Sequence, residues 1–214
     1  MTSSDPDPAT ATILAYDNGA ERYADHSRDR DGLARLREPF MALLPDDPFV
    51  LDLGSGPGHD AALIAELGAT VVALDPAQAL LRQAGVYGAI TGRLIGGEAR
   101  RLPFADASFD GIWSCASLLH LPHANVPEAI AEVHRVLKTG GFAFLSVSEG
   151  DPSRVVPVTD LGLATRAYYY HEADGWGDLL RSAGFQLILH HVNRESGNFN
   201  PGSTGWIETY ARKR

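Results

Sequence analysis

The stretch of this chain best suited to chemistry is Val50-Leu51-Asp52-Leu53-Gly54-Ser55-Gly56-Pro57-Gly58-His59-Asp60. A run that reads as a buried strand ends in three glycines at alternate positions, and a helical pattern begins at once. Glycine lets the backbone turn and lets a ligand approach it closely, while the first turn of the next helix offers free N–H groups. The acid that follows at the end of the next strand is Asp75, closing the valine-rich run from Thr70 to Leu74. A helix of roughly nine residues rises about 14 Å, and a strand of about five residues returns about 16 Å. Asp75 therefore lands on the same edge as Gly54. A carboxylate there can accept both hydroxyls of a ribose, and it can also cap the helix that starts at Pro76.

Other reactive side chains are sparse. Asp52 precedes the glycine turn and is expected to order it through backbone N–H groups. His120, in Ser117-Leu118-Leu119-His120-Leu121-Pro122-His123, follows a strand and is the best-placed general base, should an acceptor need to lose a proton; a contact or packing role is its alternative. His123 is expected to be solvated. His190 and His191 are neighbours on a strand and face opposite sides, so no metal site is expected there. Cys115 is the single cysteine; it reads as a packing residue, and it excludes a disulfide framework or a multi-cysteine zinc site.

The elements that must position these groups alternate. Residues 1–12 read as a flexible leader and 13–45 as a helical segment, in which Tyr16, Ala20 and Tyr23 share one face. From 46 to 214 strands are expected at 49–53, 70–74, 93–97, 111–116 and 142–148, with a closing hairpin pair at 185–192 and 205–211. Helices are expected at 59–67, at 76–84, at 127–137 with Gly140-Gly141 as its cap, and at 172–183; residues 149–171 read as irregular. Strand–helix alternation of this kind implies a parallel sheet covered by helices on both faces, in one domain.

The glycine spacing is G-x-G-x-G, whereas dinucleotide-binding turns usually show G-x-G-x-x-G. It resembles motif I of the class I S-adenosylmethionine-dependent methyltransferases, and the likeness continues in order along the chain. Glu98-Ala99-Arg100-Arg101-Leu102-Pro103-Phe104 resembles the segment after that family's third strand, with glutamate for its usual aspartate. Ser108-Phe109-Asp110 resembles the entry to strand four. Arg135-Val136-Leu137-Lys138-Thr139-Gly140-Gly141 matches an RVLKPGG passage with threonine for proline, and Leu179-Leu180-Arg181-Ser182-Ala183-Gly184-Phe185 matches a late LL-x-x-AGF segment. The chain is similar to the type 11 methyltransferases in these respects.

The resemblance implies a three-layer αβα, Rossmann-like, seven-stranded and mostly parallel sheet with an antiparallel last strand. It implies S-adenosylmethionine as cofactor, released as S-adenosylhomocysteine. The cofactor would be bordered by Asp52, Gly54, Ser55, Gly56, Asp75, Pro76, Glu98, Ala99, Ser114, Cys115 and Ala116, with Tyr16 and Tyr23 folding over it. Residues 150–171, including Arg154, Arg166 and Tyr168–Tyr170, fall where the family varies its acceptor-binding segment.

The chain has 214 residues and a formal charge of −9, which argues against a broad nucleic-acid surface. No apolar run approaches the roughly 20 residues of a membrane span, and the polar start MTSSDPDPAT lacks signal-peptide features. A cytoplasmic enzyme acting on a small molecule is expected. The competing readings are a non-catalytic adenosine-ligand module, because methyl transfer needs no diagnostic catalytic residue, and a nicotinamide-dependent oxidoreductase, which the glycine spacing disfavours.

Overall fold

The structure is a computed structural model that describes residues 7–86, 93–195 and 201–214. The elements run α1 (Pro8–Asn18), α2 (Ala20–His26), α3 (Ala34–Ala42), β1 (Phe49–Leu53), α4 (His59–Glu66), β2 (Thr70–Asp75), α5 (Gln78–Val86), β3 (Leu94–Gly96) and β4 (Phe109–Cys115). They continue with α6 (Val126–Val136), β5 (Leu137–Glu149), β6 (Val155–Val158), β7 (Arg166–Tyr169), α7 (Ala173–Ser182), β8 (Phe185–Asn193) and β9 (Gly205–Lys213).

One seven-stranded sheet has the order β3-β2-β1-β4-β5-β9-β8. The pairings from β3 through to β5 are parallel, and β9 runs antiparallel between β5 and β8. This is the Rossmann-like arrangement implied above, including the antiparallel last strand. The order reverses between β1 and β4, and a crevice opens at the carboxyl ends of strands on either side of such a reversal.

Alternate residues of β1 serve the two faces of the sheet. Leu51 and Leu53 belong to the same buried cluster as Ile130, Val133 and Val136 of α6 and Trp176 and Leu180 of α7. Val50 packs on the other face with Leu36 and Phe40 of α3 and with Ala61 and Ile64 of α4. Helix α6 forms because Val126, Ala129, Ile130, Val133 and Val136 recur at helical spacing and are all buried.

Four local expectations change. Residues 8–12 are not leader but the first turns of α1, because the Asp7 carboxylate accepts the Ala9 and Thr10 amides at 3.1 and 3.3 Å and Pro8 suits a first turn; residues 1–6 of that expected leader lie outside the described residues. Gly140-Gly141 does not cap α6. The chain enters β5 at Leu137, and Gly140 adopts φ +80° inside that strand, next to the irregularity in its pairing with β4. Helix α5 starts at Gln78 rather than Pro76. The stretch from 149 to 171 contains a two-stranded hairpin, β6–β7, whose Val158 and Tyr168 join the core, as does Tyr170 just beyond it.

Candidate active site

The glycine turn sits where β1 and β2 end in register, Leu53 beside Leu74. Gly54, Gly56 and Gly58 have φ of +73°, +54° and +77°, a region L-residues seldom enter. At Gly54 space is as decisive as conformation: a Cβ there would stand 1.7 Å from Ser117 Oγ. Ala116, itself at φ +54° at the end of β4, carries Ser117 to that close approach.

Asp75 closes the turn from the other side. Its carboxylate accepts the Gly56 amide and the Ala77 amide, each at 2.8 Å, so it ties the turn to the start of α5. Burial pushes its pKa up to about 6, against the pull of those two N–H groups. Its place beside Gly54 is realised, while the amide it accepts, Ala77, lies just ahead of α5 rather than within the helix that was expected to start at Pro76.

The floor of the cleft is acidic. Asp52 is 2% exposed and its Oδ2 has no partner; Ser55 Oγ is likewise buried and unpaired, and both residues line the cleft. Burial, with the charge of Asp60 nearby, raises the Asp52 carboxyl well above its ordinary value. Asp60 is also buried but fully engaged. It accepts Arg37 at 3.0 Å and the Trp113 indole at 3.2 Å, and it forms a two-nitrogen pair with Arg30. Burial alone would raise its carboxyl, but the two guanidiniums outweigh that and hold it below the usual value. Cys115 forms part of the wall, and burial pushes its thiol up to about 12, so it stays protonated and inert.

Helices α1 and α2 roof this cleft. Asp17 accepts the Ala79 amide at 2.6 Å and so helps to cap α5 from another helix; His59 bonds the Ala24 carbonyl at 2.8 Å. Ile13, Tyr16 and Tyr23 pack on Ala77 and Leu80, with the two tyrosine rings edge-on at 4.9 Å.

His120 stands at the rim. Its Nδ1 lies 2.9 Å from the Ala167 carbonyl and must donate to it, so Nε2 carries the lone pair and accepts the Tyr16 hydroxyl at 3.0 Å. Tyr16 in turn accepts Arg166 Nη1 at 3.2 Å. Burial, with the charge of Arg166, lowers the His120 pKa to about 4. The ring is neutral and both nitrogens are occupied.

The residues singled out in the sequence, Tyr16, Tyr23, Asp52, Gly54, Ser55, Gly56, Asp75, Pro76, Glu98, Ala99, Cys115, Ala116 and His120, all border this one cleft. Ser114 does not: it is buried within β4, one residue behind the strand end. Glu98 is exposed and pairs with Arg100 at 2.5 Å. His123 is not solvated as expected. Its ring meets Tyr169 and His171, and its Nε2 is buried. The sequence reading missed Arg30, Arg37 and Asp60 as one network, Asp17 as a cap and Ser117 as the neighbour of Gly54. Asp60 lay inside the motif, but nothing in the spacing paired it with arginines 30 and 23 residues upstream.

Asp52 and Ser55 supply orphaned polar atoms on the floor, and Asp75 an acid beside the glycine turn. This donor set fits an adenosine bearing an amino-acid tail. Among the described residues no group of three or more His, Cys, Asp or Glu could hold a metal, and no helix is long and apolar enough to cross a membrane.

Comparison with known proteins agrees with that chemistry. The family described as "Methyltransferase domain" matches residues 51–145. The chain is 43% identical over 143 residues to the biotin biosynthesis bifunctional protein BioHC of Cellvibrio japonicus, covering 64% of this chain but 28% of that protein. It is 32% identical over 150 residues to a methyltransferase of Synechocystis sp., covering 67% of this chain and 69% of that one. The crystal structure of Burkholderia thailandensis 1,6-didemethyltoxoflavin-N1-methyltransferase, with bound 1,6-didemethyltoxoflavin and S-adenosylhomocysteine, shares the fold at a TM-score of 0.71 and 24% identity, covering 100% of this chain and 93% of that one. The glycine turn, the acid after β2 and these relatives together place the chain in the S-adenosylmethionine-dependent methyltransferase family.

Proposed function

We propose that this protein moves the methyl group of S-adenosylmethionine to a small-molecule acceptor held at the His120 end of the cleft. The observation that carries the reading is the single cleft running from the glycine turn and Asp75, past the unpaired Asp52 and Ser55 oxygens, to Tyr16 and His120. When bound, the cofactor supplies a methyl group already activated by a sulfonium. The chain's own task is to align the acceptor, and such positioning can contribute roughly 7–11 kcal/mol.

In this reading Gly54, Ser55, Gly56, Asp75 and Pro76 hold the ribose, and Glu98 and Ala99 border the adenine. Asp52, Cys115 and Ala116 flank the amino-acid end, where Arg30 also lines the wall. Tyr16 and Tyr23 exclude water from above. Ser114 makes no contact and only supports Cys115. His120 is the candidate catalytic group: it takes a proton from a hydroxyl acceptor once Tyr16 releases Nε2, and it has no proton to take from an acceptor that arrives as an anion. The Burkholderia protein, bound to a small heterocycle, supports a small-molecule acceptor, and the acidic charge of −9 supports it over a nucleic acid. We assign the protein to the cytoplasm on its single free thiol and acidic composition.

Thermal unfolding tests the reading. S-adenosylhomocysteine at 100 times its Kd should add about 2.7 kcal/mol and raise the Tm clearly, while NADH should not. Stabilisation by NADH alone would overturn it. A screen that follows S-adenosylhomocysteine release then identifies the acceptor.

A further inference from the structure

We propose that the acceptor is a small carboxylate, seated on Arg166 in exchange for Asp160; this rests on the methyltransferase reading above and names its acceptor class. Arg166 opens β7 and is 1% exposed, among the largest fully buried side chains of the protein. A guanidinium brings five N–H donors and a fixed positive charge. Nη1 donates to Tyr16 Oη, Nη2 lies in an ion pair with Asp160 without a hydrogen bond of its own, and Nε has no acceptor. The remaining neighbours include two tyrosine rings, with the guanidinium carbon 5.1 Å from the centre of Tyr16 and 5.7 Å from that of Tyr168.

A buried charge is costly unless it is paired and its donors are satisfied. The counter-ion of Arg166 is poorly buried itself. The Asp160 side chain is 51% exposed and sits on the β6–β7 turn, where Leu161 and Gly162 both adopt positive φ. The cation thus comes from the interior and its carboxylate from a surface turn. Arg166 stands behind the cleft wall formed by Tyr16 and His120, and the two arginines that line the cleft are committed elsewhere, Arg30 to buried Asp60 and Arg100 to Glu98.

Position and chemistry agree. Tyr16 Oη joins Arg166 to His120 Nε2 by two hydrogen bonds, so an anion on Arg166 stands beside the rim of the cleft. Asp160 is itself a carboxylate, and the fork of an arginine matches that group in two-point contact. A carboxylic acid, with a pKa of about 4, is already ionised at neutral pH. Its oxygen lone pair forms the new bond to the methyl carbon while the carbon–sulfur bond breaks with its pair left on sulfur, and no proton moves. That suits a His120 whose two nitrogens are both engaged.

The test uses the full chain saturated with S-adenosylhomocysteine for binding and S-adenosylmethionine for turnover. The probes are hexanoate and benzoate, with hexanamide and benzamide as neutral counterparts and phenyl phosphate as another anion. Both carboxylates should bind and yield methyl esters by mass spectrometry, and the amides should do neither. Asp160→Asn should tighten carboxylate binding about threefold or more, and Arg166→Gln should weaken it at least about tenfold, with S-adenosylhomocysteine affinity unchanged in both. Should Arg166→Gln fail to fold, Asp160→Asn still decides, because its side chain is half exposed. Equal binding of acids and amides, no change in Asp160→Asn, or capture of phenyl phosphate alone would overturn the proposal. If S-adenosylhomocysteine itself does not bind, it is the methyltransferase reading that fails; if it binds and carboxylates are ignored, only the acceptor class does.

Discussion

The two ends of the cleft are assembled over different distances along the chain. At the glycine turn the polar contacts are nearly local: Asp75 reaches Ala77 two residues on and Gly56 nineteen residues back. At the rim, Tyr16 meets His120 across 104 residues and Arg166 across 150, and the Thr12 hydroxyl accepts the Ala167 amide across 155. The first end is built largely by one β-α-β unit that is continuous in sequence. The second exists only when α1, the turn after β4 and the β6–β7 hairpin have all docked. Substitutions at the first end should therefore weaken cofactor binding most, and those at the second should largely leave it while changing closure and the acceptor.

The largest effect is expected at Gly54. Gly54→Ala places a Cβ 1.7 Å from Ser117 Oγ, on a residue at φ +73°. Either the turn or Ser117 must move, and S-adenosylhomocysteine affinity should fall about 100-fold or more, ~2.7 kcal/mol. Calorimetric titration measures this directly. A variant that binds within threefold of wild type would show that the turn is not the cofactor's cradle.

The two ends should also respond to pH with opposite sign. His171 lies beyond the rim, packed on His123 and Trp176 at ring distances of 4.9 Å, and is 8% exposed. Burial, aided by the charge of His123, lowers its pKa to about 4. The unfolded chain binds a proton near 6.5 that the native ring refuses, so stability is lost as pH falls through that window. Between pH 7 and 5 the loss is about 2 kcal/mol. His171→Phe should flatten that part of the denaturant-derived stability profile; an unchanged slope would mean that the ring is protonated in the fold.

The sequence made the first end readable because its determinants lie close together. Glycine spacing, strand length and helix rise put Asp75 beside Gly54 without any knowledge of the rest of the fold. The hairpin at 155–169 escaped, since its strands are four residues each and one contains Pro157, which argues against a strand. Its partners are far away, so the value of Arg166 as a buried cation could not be read from its neighbours in the chain. The start of α1 was missed for a different reason: Asp7-Pro8 is a good helix start, but it lies in a polar stretch whose apolar face is weak. Ser114 was placed at the cleft by likeness alone, and strand alternation takes it away from the wall that Cys115 forms.

Asp75 supplies the next effect in size. Asp75→Ala should cost at least tenfold in cofactor affinity, about 1.4 kcal/mol, since bonds to a charged acceptor are worth about 1.5–3 kcal/mol each. With its pKa raised to about 6, the native carboxyl binds a proton more readily than the unfolded one. The ligand-free fold should therefore gain about 1 kcal/mol from this residue between pH 7 and 5. Ribose hydroxyls favour the ionised form, so affinity for S-adenosylhomocysteine should decline below pH 6. Affinity that holds constant from pH 7 to 5 would remove Asp75 from the ribose.

The smallest effect on binding belongs to His120, and it sharpens the contrast most. The ring touches Tyr16, the Ala167 carbonyl and Tyr168, and makes no hydrogen bond to the glycine turn or to Asp75. His120→Ala should leave S-adenosylhomocysteine affinity within about threefold, under ~0.7 kcal/mol. Turnover then depends on what the acceptor must lose. A hydroxyl acceptor needs the Nε2 lone pair, and its methylation should fall by about 10²–10⁴-fold. A carboxylate needs no base, so its turnover should fall by less than about tenfold, mostly through KM as Tyr16 and Arg166 lose their brace. The pH profile separates the two cases. With a base at work, wild type carries an ionisation that the variant lacks. With Arg166 as anchor for a carboxylate, the wild-type and variant profiles share one shape, because an ionised carboxylate acceptor has no proton for His120 to remove. A variant that turns over a carboxylate hundreds of times more slowly, with its neutral limb missing, would make His120 the base and send the search back to hydroxyl acceptors.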